Sequence, residues 1–140
     1  MKKQEKEKII NYWRKTAAHD FKTMKGLFEI RRYPDSLFYG HIVIEKILKA
    51  LVVYQTNEKA PYIHNLTKLS ELAELNLEEK DYDLLDVLNN FNIRSRYPDY
   101  KLSFYKQYRD KEKASRYLEE VTELYKKLCQ ILNQKTKPKN

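Results

Sequence analysis

The sequence contains one cysteine, Cys129, and only two glycines and four prolines among its 140 residues. A single cysteine excludes a disulfide within the chain and a zinc site with several cysteine ligands. So few turn-forming residues argue against an all-β fold, which needs many tight connections. The chain also lacks an apolar run of membrane-spanning length, and no apolar stretch follows its charged first eight residues. We therefore expect a cytoplasmic protein.

Basic residues outnumber acidic ones by 28 to 20, which gives a formal net charge of +8 and favours polyanionic partners. Residues 71–86 hold seven acids and one base, whereas residues 94–117 hold eight bases, three acids and five tyrosines. Cations interleaved with aromatic rings suit a ligand made of phosphates and bases. Two other interpretations stay open: a solvated basic face whose tyrosines pack on the fold, or a basic stretch that meets the acidic one inside a dimer.

Apolar residues recur at intervals of three and four along most of the chain, and no stretch shows the alternation of a strand. The pattern predicts a helix from Ile10 to Phe28, a second after Pro34, a short third capped by Asn65, a fourth ending near Tyr97, and a long last helix from Ala114 to Leu132. Residues 99–109 are expected to be irregular or loosely helical. We predict an all-α fold, an antiparallel bundle of four or five helices over residues 1–133, with a basic flexible tail at 134–140.

Seven apolar residues on these helices are predicted to form the core of the bundle. They are Trp13, Phe21, Ile44, Leu48, Leu88, Val121 and Leu128. The tetrapeptide Arg-Tyr-Pro-Asp also occurs twice, at 32–35 and 96–99. Because proline fixes φ and suits a helix boundary, we interpret the repeat as two uses of the same local chemistry and not as a duplication.

Four short motifs occur in a fixed order along the chain. They are Trp13, Ala17, Asp20 and Phe21 in the first helix, Glu-Lys-Ile-Leu-Lys-Ala-Leu at 45–51, His64-Asn65-Leu66 with Leu69, and Arg-Tyr-Pro-Asp at 96–99. In this order the motifs resemble those of the HEPN family. The resemblance implies a helical bundle, usually a homodimer, that often pairs with a minimal nucleotidyltransferase and is associated with nucleotides or RNA.

Many HEPN proteins are metal-independent ribonucleases in which a histidine follows an arginine after four to six residues at the dimer groove. The resemblance implies that this histidine acts as acid or base while the arginine holds the phosphate. Here no histidine follows Arg94 or Arg96, since His64 is the last one in the chain. Arg14 and His19 match the spacing, but they lie about 140° apart around the first helix. We therefore expect no appreciable cleavage of RNA.

The preferred hypothesis is a HEPN protein, non-catalytic or weakly catalytic, that binds a nucleotide, RNA or a nucleotidyltransferase partner, with no catalytic residue, metal or cofactor assigned. The predicted ligand-binding residues are Arg94, Arg96, Tyr97, Lys46, Lys49 and His64. One alternative is a toxin-type ribonuclease that uses another base, His41 or His64. Another is a structural dimerisation module.

Three of the polar residues also have a structural interpretation. His41 lies in the apolar stripe of the second helix, where a core or interface histidine is common. His64 precedes a helix start, where capping or packing is the ordinary role. Glu45 needs a cationic partner if it faces inward, because an unpaired buried charge is costly, and we expect Arg94 or Arg96 to supply it.

Overall fold

The computed structural model describes residues 1–138, and the predictions for residues 139 and 140 lie outside that part of the chain. The described residues form six helices and no strand. They are α1 (Lys3–Glu29), α2 (Tyr33–Thr56), α3 (Leu66–Leu72), α4 (Glu79–Arg96), α5 (Pro98–Gln107) and α6 (Lys111–Thr136). The predicted all-α fold is confirmed, with two of the six helices short. α6 reaches Thr136, so the predicted boundary of the tail at residue 134 falls inside a helix.

α2 is the central helix, and it contacts α1, α3, α4 and α6. Its composition explains the position, because nearly every side chain from Ile44 to Val53 is buried. Gly40 lets the helices approach closely, since a Cβ at this position would lie 3.4 Å from the side chain of Val121 in α6. The tight turn between α1 and α2 makes these two helices antiparallel.

Five of the seven predicted core residues are completely buried: Ile44, Leu48, Leu88, Val121 and Leu128. The prediction was wrong for Trp13 and Phe21, which are only partly buried at the edge of the core. Phe21 stacks on Tyr125 of α6 with ring centroids 4.6 Å apart. Large rings at the rim of a bundle cover the core while one edge stays in contact with water, so periodicity alone overestimates their burial.

Both copies of Arg-Tyr-Pro-Asp begin a helix, as predicted. Pro34 lies in the first turn of α2 and Pro98 in the first turn of α5. Proline suits this position because its missing N–H would have no partner there. Residues 99–109 were expected to be irregular or loosely helical, but most of them belong to a regular helix, Pro98–Gln107. Pro98 ends α4 and at the same time starts α5, whose Phe104 is buried against Phe91.

Candidate functional site

Glu45 lies at the centre of a group of polar side chains on α2. Its Oε2 accepts a hydrogen bond from Lys49 Nζ at 3.1 Å, and its Oε1 accepts one from His64 Nδ1 at 2.8 Å. Lys49 is four residues along the same helix, which places it one turn away, and the loop before α3 supplies His64. The prediction that Arg94 or Arg96 pairs with Glu45 was therefore wrong. A nearer lysine and a loop histidine satisfy the carboxylate.

His41 is completely buried beneath this group. Its Nε2 lies 2.9 Å from the carbonyl oxygen of His64, so Nε2 carries the proton and donates it to that oxygen. Its Nδ1 is 3.9 Å from Glu45 Oε1 and has no hydrogen-bond partner among residues 1–138. Burial lowers the pKa of His41 to about 4, although the nearby carboxylate of Glu45 acts in the opposite direction. The imidazole is thus neutral at pH 7.

Two of the predicted ligand-binding lysines use their charge inside the fold. Lys49 is 5% exposed. Besides its contact with Glu45, its ammonium group lies 5.4 Å from the ring centroid of Trp13. Lys46 donates to Asp20 of α1, with Nζ and Oδ2 2.5 Å apart. These contacts connect α1 to α2 and engage both ammonium groups, although the side chain of Lys46 is still 24% exposed.

Arg94 joins α4 to α5. Its two terminal nitrogens donate to Gln107 Oε1 at 2.5 Å and to Ser103 Oγ at 3.0 Å. The guanidinium group also lies 5.9 Å from the ring centroid of Phe104. These contacts hold the corner between the two helices.

Arg96 has a different environment on the other side of the same helix end. Its Nε donates to Asn92 Oδ1 at 2.7 Å, and its guanidinium lies 5.6 Å from the ring centroid of Phe38. Its two terminal nitrogens have no hydrogen-bond or ion-pair partner within residues 1–138. Phe38 precedes His41 by three residues on α2, so Arg96 lies on the same face of that helix as His41. Tyr97 follows, and 57% of its surface is exposed.

The structure therefore divides the six predicted ligand-binding residues. Lys49 and His64 meet at Glu45, whereas Arg96, with Tyr97 next to it in the chain, lies over Phe38, three residues before His41 on α2. Lys46 and Arg94 lie in separate contacts that join helices. The preferred hypothesis did not include His41, Glu45 or Asn92 among the ligand-binding residues, although the ribonuclease alternative named His41 as a possible base. A helical spacing of four residues, from His41 to Glu45 and from Asn92 to Arg96, is the signal that could have identified them.

The model of the HEPN domain family matches residues 10–132 of the chain. The chain belongs to the HEPN family. This membership supports a function related to nucleotides or RNA at the level of the family. No curated protein and no solved structure gives a significant match to the chain.

The acidic stretch of this HEPN chain has a partner within the fold. Lys127 of α6 donates to Asp81 Oδ2 at 2.6 Å and lies 3.7 Å from Glu78 Oε1. The hydrogen bond to Asp81 is the main reason that the pKa of Lys127 is raised. The acids at the start of α4 thus bind a lysine of the same chain, and the basic residues 94–117 are not their partners in this contact.

The free cysteine of this HEPN chain, Cys129, lies on α6. Burial raises the pKa of the Cys129 thiol, which disfavours the nucleophilic thiolate. Within residues 1–138, no three side chains of His, Cys, Asp or Glu come together as a metal site. None of the helices in this range combines the length and the hydrophobicity of a membrane span.

Proposed function

We propose that this HEPN protein binds a phosphate-bearing ligand, a nucleotide or RNA, at the surface formed by Arg96, Tyr97 and His64. The observation that carries the proposal is the geometry of Arg96. Nε donates to Asn92 and the guanidinium lies over the ring of Phe38, while the terminal nitrogens have no partner within residues 1–138. A fixed guanidinium loses little entropy when it binds, and its planar N–H groups match a phosphate with two parallel hydrogen bonds.

His64 and Tyr97 support this assignment. The side chain of His64 is 53% exposed, and Glu45 fixes the ring through Nδ1, so Nε2 has no partner within the described residues. Nε2 can therefore contact a phosphate or hydroxyl oxygen of a ligand. The exposed ring of Tyr97 can stack on a base, and such stacking is worth roughly 1–3 kcal/mol per base.

The test is the affinity of Arg96→Ala for ATP and for a short RNA, measured by calorimetry and fluorescence anisotropy. We expect binding to weaken by about 1–3 kcal/mol because charge-assisted contacts to phosphate are lost. Because Arg96→Ala also removes the hydrogen bond to buried Asn92, we expect a loss of about 1 kcal/mol in stability, so affinity is measured well below the melting temperature. Arg116→Ala is the matched control, because it removes another exposed arginine. Equal affinities of Arg96→Ala and wild type would reject the site, whereas Tyr97→Phe should bind almost normally because stacking does not need the hydroxyl.

The enzyme alternative rests on a specific contact. Glu45 accepts from His64 Nδ1 and directs Nε2 outward, the arrangement that orients a histidine for general acid or base catalysis. Lys49 shares the same carboxylate and offsets its charge, which makes Glu45 a weaker partner for an imidazolium. RNA should therefore stay intact when it is incubated with the protein and EDTA. Rapid cleavage that His64→Ala abolishes would make the ribonuclease the better proposal.

A homodimer and a minimal nucleotidyltransferase partner complete the proposal. Ile93 and Leu102, large apolar side chains that are at least half exposed, support a protein contact surface near the α4–α5 corner, beside the ring of Tyr97 that is proposed to stack on a base. Light scattering should give about twice the monomer mass of 17.0 kDa. A mass of one chain at micromolar concentration would contradict the dimer. A dimer that binds neither ATP nor RNA would instead favour the structural dimerisation module.

A further inference from the structure

A groove of about 290 Å³ lies between the turn that joins α1 to α2 and the C-terminal half of α5. Four of its lining residues are cations: Arg31, Arg32, Lys106 and Arg109. Asp35 is the one acid in the lining, so the groove carries a net charge of +3 from these five side chains. We call it the α5 groove.

The four cations of the α5 groove have no partner inside the fold. Within residues 1–138 none of their side chains makes an ion pair or a hydrogen bond, and all four are exposed. Asp35 offsets part of the charge, but its Oδ1 also lies 3.4 Å from the hydroxyl of Tyr105, which donates to it. Like charges gathered without partners repel one another, so a polyanion that bound here would relieve the repulsion.

The backbone at Arg31 adds a second observation. Arg31 has φ of 67°, the left-handed position that follows a helix and that glycine most often occupies. The turn closes as expected for such a position, because the N–H of Arg32 donates to the carbonyl of Leu27 at 2.8 Å. A residue with a Cβ is strained there by about 1 kcal/mol or more. The chain thus places a long cationic side chain where backbone energy favours glycine.

The α5 groove lies close to Arg96 on the same face of α2. Tyr105 of α5 contacts Asp35, and the guanidinium of Arg96 lies over Phe38, three residues further along α2. Residues three apart on a helix share a face and are separated by about 4.5 Å along the axis. In B-form DNA each strand carries one phosphate per about 3.4 Å. A strand of a few nucleotides is therefore long enough to reach from Arg96 into the groove.

From this arrangement we infer that the α5 groove binds the phosphodiester backbone of a single-stranded oligonucleotide whose neighbouring phosphate contacts Arg96. The inference rests on the proposed function, because it extends the Arg96 site to a longer ligand. Arginine and lysine supply the phosphate contacts, and the exposed rings of Tyr97 and Tyr100 offer faces for stacking. A mononucleotide bound at Arg96 is too short to fill the groove as well.

The test compares fluorescein-labelled oligo(rU) of twelve nucleotides with ATP on the wild-type protein and on Arg31→Ala/Arg109→Ala. We expect oligo(rU) affinity to fall about tenfold and its salt dependence to become shallower by about 1.4, or 0.7 for each lost phosphate contact. ATP affinity should stay the same. Oligo(dT) should behave like oligo(rU), because the groove contacts phosphates only. Lys15→Ala/Lys22→Ala, which removes two exposed lysines of α1, is the control of equal charge.

Every other result of this experiment rejects the groove, the Arg96 site or both. An equal loss in the control means diffuse attraction and rejects the groove, and so does binding of oligo(rU) without oligo(dT). ATP binding with no tighter binding of oligo(rU) rejects the groove but leaves the Arg96 site. Binding of neither ligand rejects both. Lys106→Ala/Arg109→Ala changes only the α5 side, so it gives the same comparison if the first variant melts at a lower temperature.

Discussion

The Glu45 group (His41, Glu45, Lys49 and His64) and the α5 groove each combine basic side chains with one carboxylate. The lysine of the first is buried and paired, whereas the cations of the second are exposed. Around Glu45, Lys49 is buried and its charge is matched by a carboxylate within hydrogen-bond distance. In the α5 groove, four cations surround one acid and remain exposed. A buried charge must be paired, because the interior cannot replace its hydration, whereas an exposed charge keeps its water until a ligand replaces it. Burial, and not residue type, separates the cations that stabilise this fold from those that can bind a ligand.

Among these variants, Glu45→Ala should lower the free energy of unfolding most. It leaves Lys49 buried without a carboxylate, and breaking a buried pair by removing one partner costs about 3–5 kcal/mol of unfolding free energy. Urea denaturation followed by circular dichroism measures this loss. Glu58→Ala, at an exposed glutamate without an ion pair, is the control and should change stability by less than about 0.5 kcal/mol. Similar midpoints for both variants would mean that the Glu45 group does not stabilise the fold.

A change of pH should act on the same region through His41. The pKa of His41 is about 4 in the fold and 6.5 in the unfolded chain, so the unfolded chain binds more protons between these values. The contribution of neutral His41 to the free energy of unfolding is complete above pH 6.5. It is lost as the pH falls towards 4, by about 3 kcal/mol in total. Between pH 7 and pH 4, the free energy of unfolding measured by urea denaturation should fall less for His41→Gln than for wild type. Equal losses in the two proteins would contradict a buried neutral His41.

Arg94→Ala tests a partly exposed cation that joins α4 to α5 at the corner between these helices. Arg94 is partly exposed, and its two hydrogen bonds join the helices, so we expect a loss of about 1 kcal/mol. Hydrogen exchange should show faster opening of α5 with little change in α2. If Arg94→Ala instead weakened ATP binding at unchanged stability, Arg94 would belong to the ligand site after all.

The smallest effect on stability is expected in the α5 groove. Lys106→Ala/Arg109→Ala removes two exposed cations that have no partner in the described part of the chain, and it should change the free energy of unfolding by less than about 0.5 kcal/mol. Relief of repulsion could even raise the melting temperature in low salt. A clear destabilisation, measured by differential scanning calorimetry, would show that these cations stabilise the fold. The α5 groove would then not differ from the Glu45 group in this respect.

Most of the fold could be predicted from sequence, because its signals are local. The stripe from Ile44 to Leu51, the Asn65 cap and the proline boundaries each depend on residues within one or two helical turns. Asn65 does accept a hydrogen bond from the backbone N–H of Lys68. The prediction failed where a single residue has two roles, as Pro98 does when it ends one helix and begins the next.

The candidate site was predictable only in part, because its contacts are not local. Glu45 and Lys49 are one turn apart on the same helix, a local spacing that could have predicted their pairing, but the prediction named Arg94 or Arg96 as the partner. His64 lies 19 residues from Glu45, and no sequence pattern showed that it would reach the same carboxylate before Arg94 or Arg96.

The helices, their apolar faces and the excess of positive charge follow from the local sequence, because periodicity, capping and composition act over a few residues. Which cations are used inside the fold depends on how the helices pack. The packing of α1 against α2 brings Asp20 to Lys46, and α5 supplies Ser103 and Gln107 to Arg94, while Arg96, two residues further along α4, lies over Phe38 of α2. The physical reason is that a charge is neutralised by whatever lies within a few ångströms, and folding alone sets those distances.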